Sequence, residues 1–421
     1  MKITSALAAL SVGAAMLTIP LASATADIPG CTATDAQIYQ PPTTVTGEPG
    51  DILACHPTGL PFVVGAPTLR AYKLQYVTTD AKGNKVAATG TVAVPTAAWT
   101  GSGSRPTVAY APFTHGSGSA CSLSKQMANG FQDQFESPII GGLLSQGWAL
   151  AATDGVGYMD GQTHYYTNGK ANGPALLDIV RASRKLPQDA LASDSKVALT
   201  GYSEGGNTSL WAAQLAASYA PELNVVGDAS GGIPADLKAA AAQLNGGIFA
   251  GFLADALMGF KNQYPEMPFA ELENDAGRAA EKTVTSQCLI GTVLSFLGAR
   301  VENYSTQGLS LDQIYALQGP GGVTWGQIVD SLKLGVDVGT AASTAKYKIG
   351  FPVFQYRGLL EEVLPISAED AVAKSYCQAG IPTSYKQYPG EHALTLFEGA
   401  GDVQNFIADR FAGKPFTPSG C

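Results

Sequence analysis

The sequence predicts a doubly wound α/β fold: a mostly parallel sheet with helices on both faces and a helical cap inserted late in the chain. Three observations carry this. After residue 70, short apolar runs of strand length alternate with helix-length periodic segments, the pattern of strands buried on both faces of a parallel sheet. An antiparallel hairpin precedes them. A long stretch between the strand-like runs at 223 and 352 is instead rich in alanine, leucine and glycine in helical patterns, which reads as a cap.

In order, Tyr72 to Pro95 forms the hairpin, turning at Ala81-Lys82-Gly83-Asn84, with apolar residues alternating on the return strand. Buried strands are predicted at Thr107–Ala111, Trp148–Ala152, Lys196–Thr200, Leu223–Val226 and Pro352–Tyr356. Helices are predicted at Pro174–Lys185, Asn207–Tyr219, Ala368–Cys377 and Val403–Phe411. The division expected is a signal peptide at 1–26, a core formed by 27–234 and 347–421, and a cap at 235–346.

Lys2, an apolar stretch from Ala6 to Leu21 and the small-residue end Ala24-Thr25-Ala26 have signal-peptide anatomy. Cleavage near Ala26 would leave the protein working outside the cytoplasm, extracellularly or in the periplasm. Later segments lack the roughly 18 uninterrupted apolar residues of a membrane span. Asp255 interrupts Gly246–Phe260, and Cys288–Ala299 is short. A formal charge of -9 argues against a nucleic-acid partner, which calls for a basic face. The six cysteines (Cys31, Cys55, Cys121, Cys288, Cys377, Cys421) have no CxxC pair and no histidine at zinc-finger spacing, which points away from metal. An even count in an oxidising compartment reads as three disulfides.

Chemistry concentrates at Lys196–Gly206, KVALTGYSEGG, where GxSxG lies between a strand and a helix. In that context it is the nucleophile elbow of α/β-hydrolases, whose glycines let strand and helix close on a strained serine. Ser203 is the predicted nucleophile, and the N–H of Glu204, at the positive end of the next helix, a predicted oxyanion donor. The hydrolase order is serine, acid, histidine, and of four histidines only His392 follows Ser203. It sits in YPGEH, a turn after the strand-like Thr383–Tyr388, where the base belongs. His115 and Gly116, in FTHGSG after the run at 107, mark an HG-type turn whose backbone supplies the second oxyanion N–H. His56, before Pro57 in an irregular stretch, reads as structural, and His164 as a surface or substrate-entrance residue. Gly155-Val156-Gly157 lacks the third glycine of a dinucleotide loop, and Asp154 reads as a residue that pins its own loop.

The acid should follow the penultimate strand, which leaves Glu361, Glu362, Glu369 and Asp370. Ser367-Ala368-Glu369-Asp370 reads as a capping box, which occupies the last two. Glu361 and Glu362 cannot both face one histidine, because adjacent side chains diverge. One is expected buried against His392 and the other solvated; the pattern alone does not choose.

The segments Leu186–Asp189, Lys196–Ser203, Ser218–Gly227 and Leu244–Gly247 resemble the secretory lipase family, the yeast lipase A type and its bacterial relatives. The likeness runs from about Tyr39 to the final cysteine. The resemblance implies an α/β-hydrolase fold with a largely helical cap, a serine triad, no cofactor, and hydrolysis of carboxylic esters including acylglycerols. It carries the nucleophile to Ser203 and the base to His392. The family's acid segment, G/A-x-x-D-E-x-V-P, meets Gly358-Leu-Leu-Glu361-Glu362-Val-Leu-Pro365, so Glu361 takes the acid position with glutamate for aspartate, as other hydrolase triads do. Corresponding cysteines imply the pairs Cys121–Cys288 and Cys377–Cys421, leaving Cys31 with Cys55. The long C-terminal flap of the yeast lipases has no counterpart after Pro418, from which a more open site is expected.

The expectation is a secreted serine esterase or lipase, monomeric, acting on small-molecule or lipid esters with transient contact to a lipid interface. Apolar runs such as Ile248–Phe252 and Val293–Phe296 would shape its acyl pocket. The alternatives are an esterase or acyltransferase for bulky or polymeric esters, a peptidase, and a catalytically inactive hydrolase-fold binding protein.

Overall fold

The computed structural model describes residues 30–130 and 135–421; the signal-peptide reading lies outside the described residues. The chain forms eleven described strands: β1 Ile52–Thr58, β2 Leu69–Thr79, β3 Lys85–Pro95, β4 Thr107–Ala111, β5 Ala149–Val156, β6 Lys196–Tyr202, β7 Asn224–Gly231, β8 Val338–Thr340, β9 Tyr347–Ile349, β10 Val353–Gly358 and β11 Thr383–Tyr388. Nine build one sheet in the order β1-β2-β3-β5-β4-β6-β7-β10-β11. Pairs from β1 to β5 run antiparallel, and every pair from β5–β4 through β10–β11 runs parallel. β1 corrects the irregular reading of the stretch holding His56. Its ladder to β2 pairs His56 with Lys73, and the His56 ring bonds the Ala33 carbonyl at 2.7 Å.

Helices α1 Asp35–Ile38, α2 Leu123–Asn129, α3 Ser137–Ser145, α4 Gly169–Ser183 and α5 Glu204–Tyr219 precede the cap. Alternation along the strands fills two cores on opposite faces of the sheet. On β6, Val197 and Leu199 join Leu176 of α4 and Trp211 of α5 in one core. The residue between them, Ala198, faces the other with Ile140 of α3.

Between β7 and β10 the chain leaves the sheet and forms α6 Leu237–Leu244, α7 Ala250–Gln263, α8 Asp275–Val284, α9 Leu289–Ser295, α10 Leu311–Ala316 and α11 Trp325–Asp330. This excursion has its own apolar cluster around Phe260, Tyr264, Trp325 and Leu332. Its last part returns to the sheet: Leu334, Tyr347 and Ile349 belong to the core of α4 and α5. A disulfide joins Cys121 beside α2 to Cys288 before α9, and the Leu289 N–H bonds the His115 carbonyl at 2.9 Å. Cys31–Cys55 and Cys377–Cys421 are likewise bonded.

The chain ends with α12 Ile366–Gln378 and α13 His392–Phe411. The predicted capping box at Ser367 does not form: Pro365 occupies the N-cap of α12. Tertiary partners take both acids instead. Glu369, buried, accepts the Ile233 N–H at 2.5 Å, and Asp370 pairs with Arg357 at 2.8 Å. A buried donor and a guanidinium offer more than an exposed cap, whose loss costs only about 1 kcal/mol.

Candidate active site

β6 ends at Tyr202 and α5 starts at Glu204, so one residue makes the whole turn. That residue, Ser203, has φ 56° and ψ -120°. A non-glycine residue there is strained, and such strain persists only where the surroundings over-determine it. The surroundings are tight: a Cβ at Gly201 would run into the Gly205 backbone, and one at Gly205 into the Ala111 carbonyl. Glycine at both positions lets α5 press against β6 and β4, leaving the Ser203 hydroxyl above the sheet.

His392 is the first residue of α13 rather than a free turn, and Glu391 caps that helix. Its Nε2 lies 3.0 Å from Ser203 Oγ and its Nδ1 2.7 Å from Glu361 Oε2. The other Glu361 oxygen accepts the N–H groups of Val363 at 3.0 Å and Leu364 at 2.9 Å. Burial alone would raise the Glu361 pKa; the His392 ring and these N–H groups hold it below the usual glutamate value. An ionised Glu361 selects the tautomer with hydrogen on Nδ1, leaving Nε2 free to accept from Ser203.

Glu362 is exposed but not idle, since its Oε2 accepts the His392 backbone N–H at 3.0 Å. The two neighbours therefore grip one histidine, Glu361 by the ring and Glu362 by the backbone. Tyr202 adds a third hold, its hydroxyl donating to the His392 carbonyl at 2.6 Å.

Two chambers meet at Ser203. One runs under the cap between Tyr166, Thr167, Leu237, Ala256, Trp325 and Leu364. The second passes His392 and is lined by Phe113, Thr114, Phe249, Val293, Leu294 and Phe397. Phe252 and Val363 belong to both walls.

Two expected residues face elsewhere. Neither His115 nor Gly116 lines either chamber, whereas Thr114 does. The His115 ring is buried against Glu136 at 2.9 Å, and the Gly116 carbonyl accepts the Tyr158 hydroxyl at 2.8 Å. A Cβ on Gly116 would lie 2.8 Å from the Cys288 backbone, so this glycine lets the cap approach. His164, read as a surface or entrance residue, is buried and bonds Glu204 Oε1 at 2.6 Å. Asp154 does pin its surroundings, accepting from the Ser124 backbone at 2.8 Å and from Thr89 at 2.6 Å.

The secretory lipase family model matches residues 123–419. Lipase 5 of Candida albicans is 32% identical over 298 residues, covering 69% of this chain and 60% of that protein. Lipase A of Moesziomyces aphidis is 30% identical over 356 residues, covering 82% of this chain and 72% of that protein. The crystal structure of Candida antarctica lipase A superimposes with a TM-score of 0.77 at 26% identity, over 91% of this chain and 87% of that one. With a mostly parallel nine-stranded sheet and a family match over most of its length, this chain belongs to the secretory lipase family and has the α/β-hydrolase fold.

Proposed function

We propose that the protein is a secreted serine carboxylic-ester hydrolase that cleaves acylglycerols and related esters through an acyl-enzyme. The observation that carries this is the continuous relay from Glu361 through His392 to Ser203, 2.7 Å and 3.0 Å, at the junction of two apolar chambers. In the proposed cycle His392 Nε2 takes the Ser203 proton as Oγ attacks the ester carbonyl carbon. The Glu204 N–H stabilises the oxyanion from the start of α5. Thr114, which lines the chamber, replaces the turn at His115 and Gly116 as the second donor. His392 then protonates the departing alkoxide, and water, activated by the same ring, releases the acid.

The chambers take opposite ends of the substrate. The leaving oxygen must reach His392, so the alcohol belongs in the chamber that His392 lines and the acyl chain in the one under the cap. Around the mouth on the His392 side, Phe135, Ile290, Leu294 and Phe397 line the opening and are exposed. Leu297, Leu359, Leu360 and Leu394 add further exposed apolar side chains nearby in sequence. Such an apolar rim suits transient docking on a lipid surface. All three relay residues come from one chain, so a monomer is the proposed working unit. The family is secretory, and three disulfides suit an oxidising compartment outside the cytoplasm.

Ser203→Ala tests the reading. It should lose at least about 1000-fold in p-nitrophenyl ester turnover and all fluorophosphonate labelling, with an unchanged melting profile. Retained turnover in the folded variant would refute the nucleophile.

A further inference from the structure

Behind the nucleophile elbow lies a buried ionisable cluster that the cycle above does not use. His164 is 2% exposed, and both ring nitrogens face acceptors. Nε2 lies 2.6 Å from Glu204 Oε1, and Nδ1 2.8 Å from the Val156 carbonyl oxygen. A neutral imidazole carries one N–H and satisfies only one of these; the imidazolium satisfies both. The Tyr158 ring stacks on His164 at 4.2 Å between centroids and 17° between planes, presenting a face that favours a cation. Tyr166 meets it edge-on at 6.4 Å. A Cβ on Gly155 would come within 2.7 Å of His164 Cε1, so that glycine makes room for the ring.

Among the described residues the charged surroundings are few. Glu204 on α5 also accepts the Thr167 N–H at 3.2 Å. Asp255 on α7 accepts the Ser117 hydroxyl at 2.5 Å and contributes to the field at His164. Burial works against a charged ring, yet Glu204 beside it, the Val156 carbonyl and Asp255 hold the His164 pKa above the usual histidine value. Burial pushes the Asp255 carboxyl up to about 7, so below neutrality Glu204 is the principal counter-ion.

Glu204 directly follows Ser203, and its N–H is the proposed oxyanion donor. An uncompensated carboxylate on that residue would repel the negative charge developing beside it, in a site where charges are weakly screened. We propose that His164 is held as an imidazolium that neutralises Glu204, so that the residue after the nucleophile offers its N–H to the oxyanion without the penalty of its own anionic side chain. His164 is a positioning residue that acts through Glu204. Loss of its proton at alkaline pH leaves Glu204 uncompensated and one ring nitrogen facing an acceptor without a hydrogen, so kcat falls.

The inference rests on Ser203 as nucleophile, and the experiment separates the two. His164→Gln keeps a donor towards Glu204 but carries no charge. With p-nitrophenyl butyrate its kcat should fall about 100-fold with little change in KM. Combining it with Glu204→Gln removes both charges, and kcat should recover to within about 10-fold of the parent protein, with the alkaline limb of the kcat profile gone. A pair that only supports packing predicts a double variant at least as damaged as the single one. That result, or an undiminished kcat in His164→Gln, overturns the proposal. If His164→Gln fails to fold, 15N-histidine NMR of the unmodified protein at about pH 8 decides: both His164 ring nitrogens protonated supports the inference, and a neutral tautomer overturns it. Fluorophosphonate labelling of the unmodified protein reads the nucleophile alone. No adduct on Ser203 removes the catalytic reading, whereas an adduct with an unrescued double variant removes only the role of His164.

Discussion

Two adjacent glutamates divide the work at one histidine. Glu361 reaches the ring and Glu362 the backbone N–H, so their replacements should differ in kind. In the proposed cycle Glu361→Gln removes the charge that selects the tautomer and stabilises the imidazolium, and kcat should fall by about 10,000-fold. Glu362→Gln retains an acceptor for the His392 N–H and should cost about 10-fold or less. Steady-state turnover of a soluble ester measures both, and the reverse order would move the acid by one residue. The Glu361 pKa is lowered in the folded protein, so its contribution to stability is present above the ordinary glutamate range and lost as pH falls through the folded value. Thermal melts should therefore show Glu361→Gln losing less stability than the parent protein as pH falls below about 4.5.

At the scale of elements, the turn between β6 and α5 was legible because a strand, two glycines at fixed offsets and a helix are all local. The start of α12 was not. Ser367-Ala368-Glu369-Asp370 satisfies the local capping rule, yet Glu369 is taken by Ile233, far back in the sequence on the other side of the cap, and Asp370 by Arg357 on the preceding strand β10. β7 carries a comparable surprise in Asp228, fully buried in a sheet strand with the Ser230 hydroxyl donating at 2.7 Å. Burial raises its pKa from 3.8 to about 7. The folded state thus prefers the protonated acid, a contribution fully present below 3.8 and lost as pH rises through about 7. Asp228→Asn lacks that titration. Its melting temperature relative to the parent protein should climb between about pH 4 and about pH 7, and a constant difference would show that Asp228 stays charged.

At the scale of the molecule, sheet and cap enclose the chambers, and the enclosure decides which ester fits. Ala256 on α7 lines the chamber under the cap. Ala256→Phe should cut hexadecanoyl ester turnover about 10-fold or more while leaving butyryl ester turnover within about 3-fold, read from an acyl-length profile. Equal losses would place the acyl chain elsewhere. Docking on lipid is tested outside the chamber walls, at Leu297 and Leu360, exposed side chains close in sequence to the lining residues Leu294 and Glu362. Leu297→Asp with Leu360→Asp should lower turnover on an emulsified triacylglycerol about 5-fold or more, with soluble-ester kcat/KM unchanged, because about 1.5–3 kcal/mol of apolar transfer is lost at each side chain that enters the lipid. An unaltered emulsion rate would refute docking through these two side chains.

The sequence alone determined what short-range physics encodes. Burial on both sides of a parallel sheet writes apolar runs, and helices write their own period, so the α/β class was legible in the sequence. The elbow glycines marked Ser203, and a single downstream histidine marked His392. For the acid, pattern left Glu361 and Glu362 open, and only the family motif favoured Glu361. Tertiary structure decided what depends on partners far along the chain. It turned Glu361 to the ring and Glu362 to the backbone, put Thr114 rather than His115 on the chamber wall, and buried His164 against Glu204. For Glu361 and His164 the reason is the same: a buried polar group must find its partner or lose solvation it cannot recover, and that partner is chosen by the fold rather than by the neighbours in sequence.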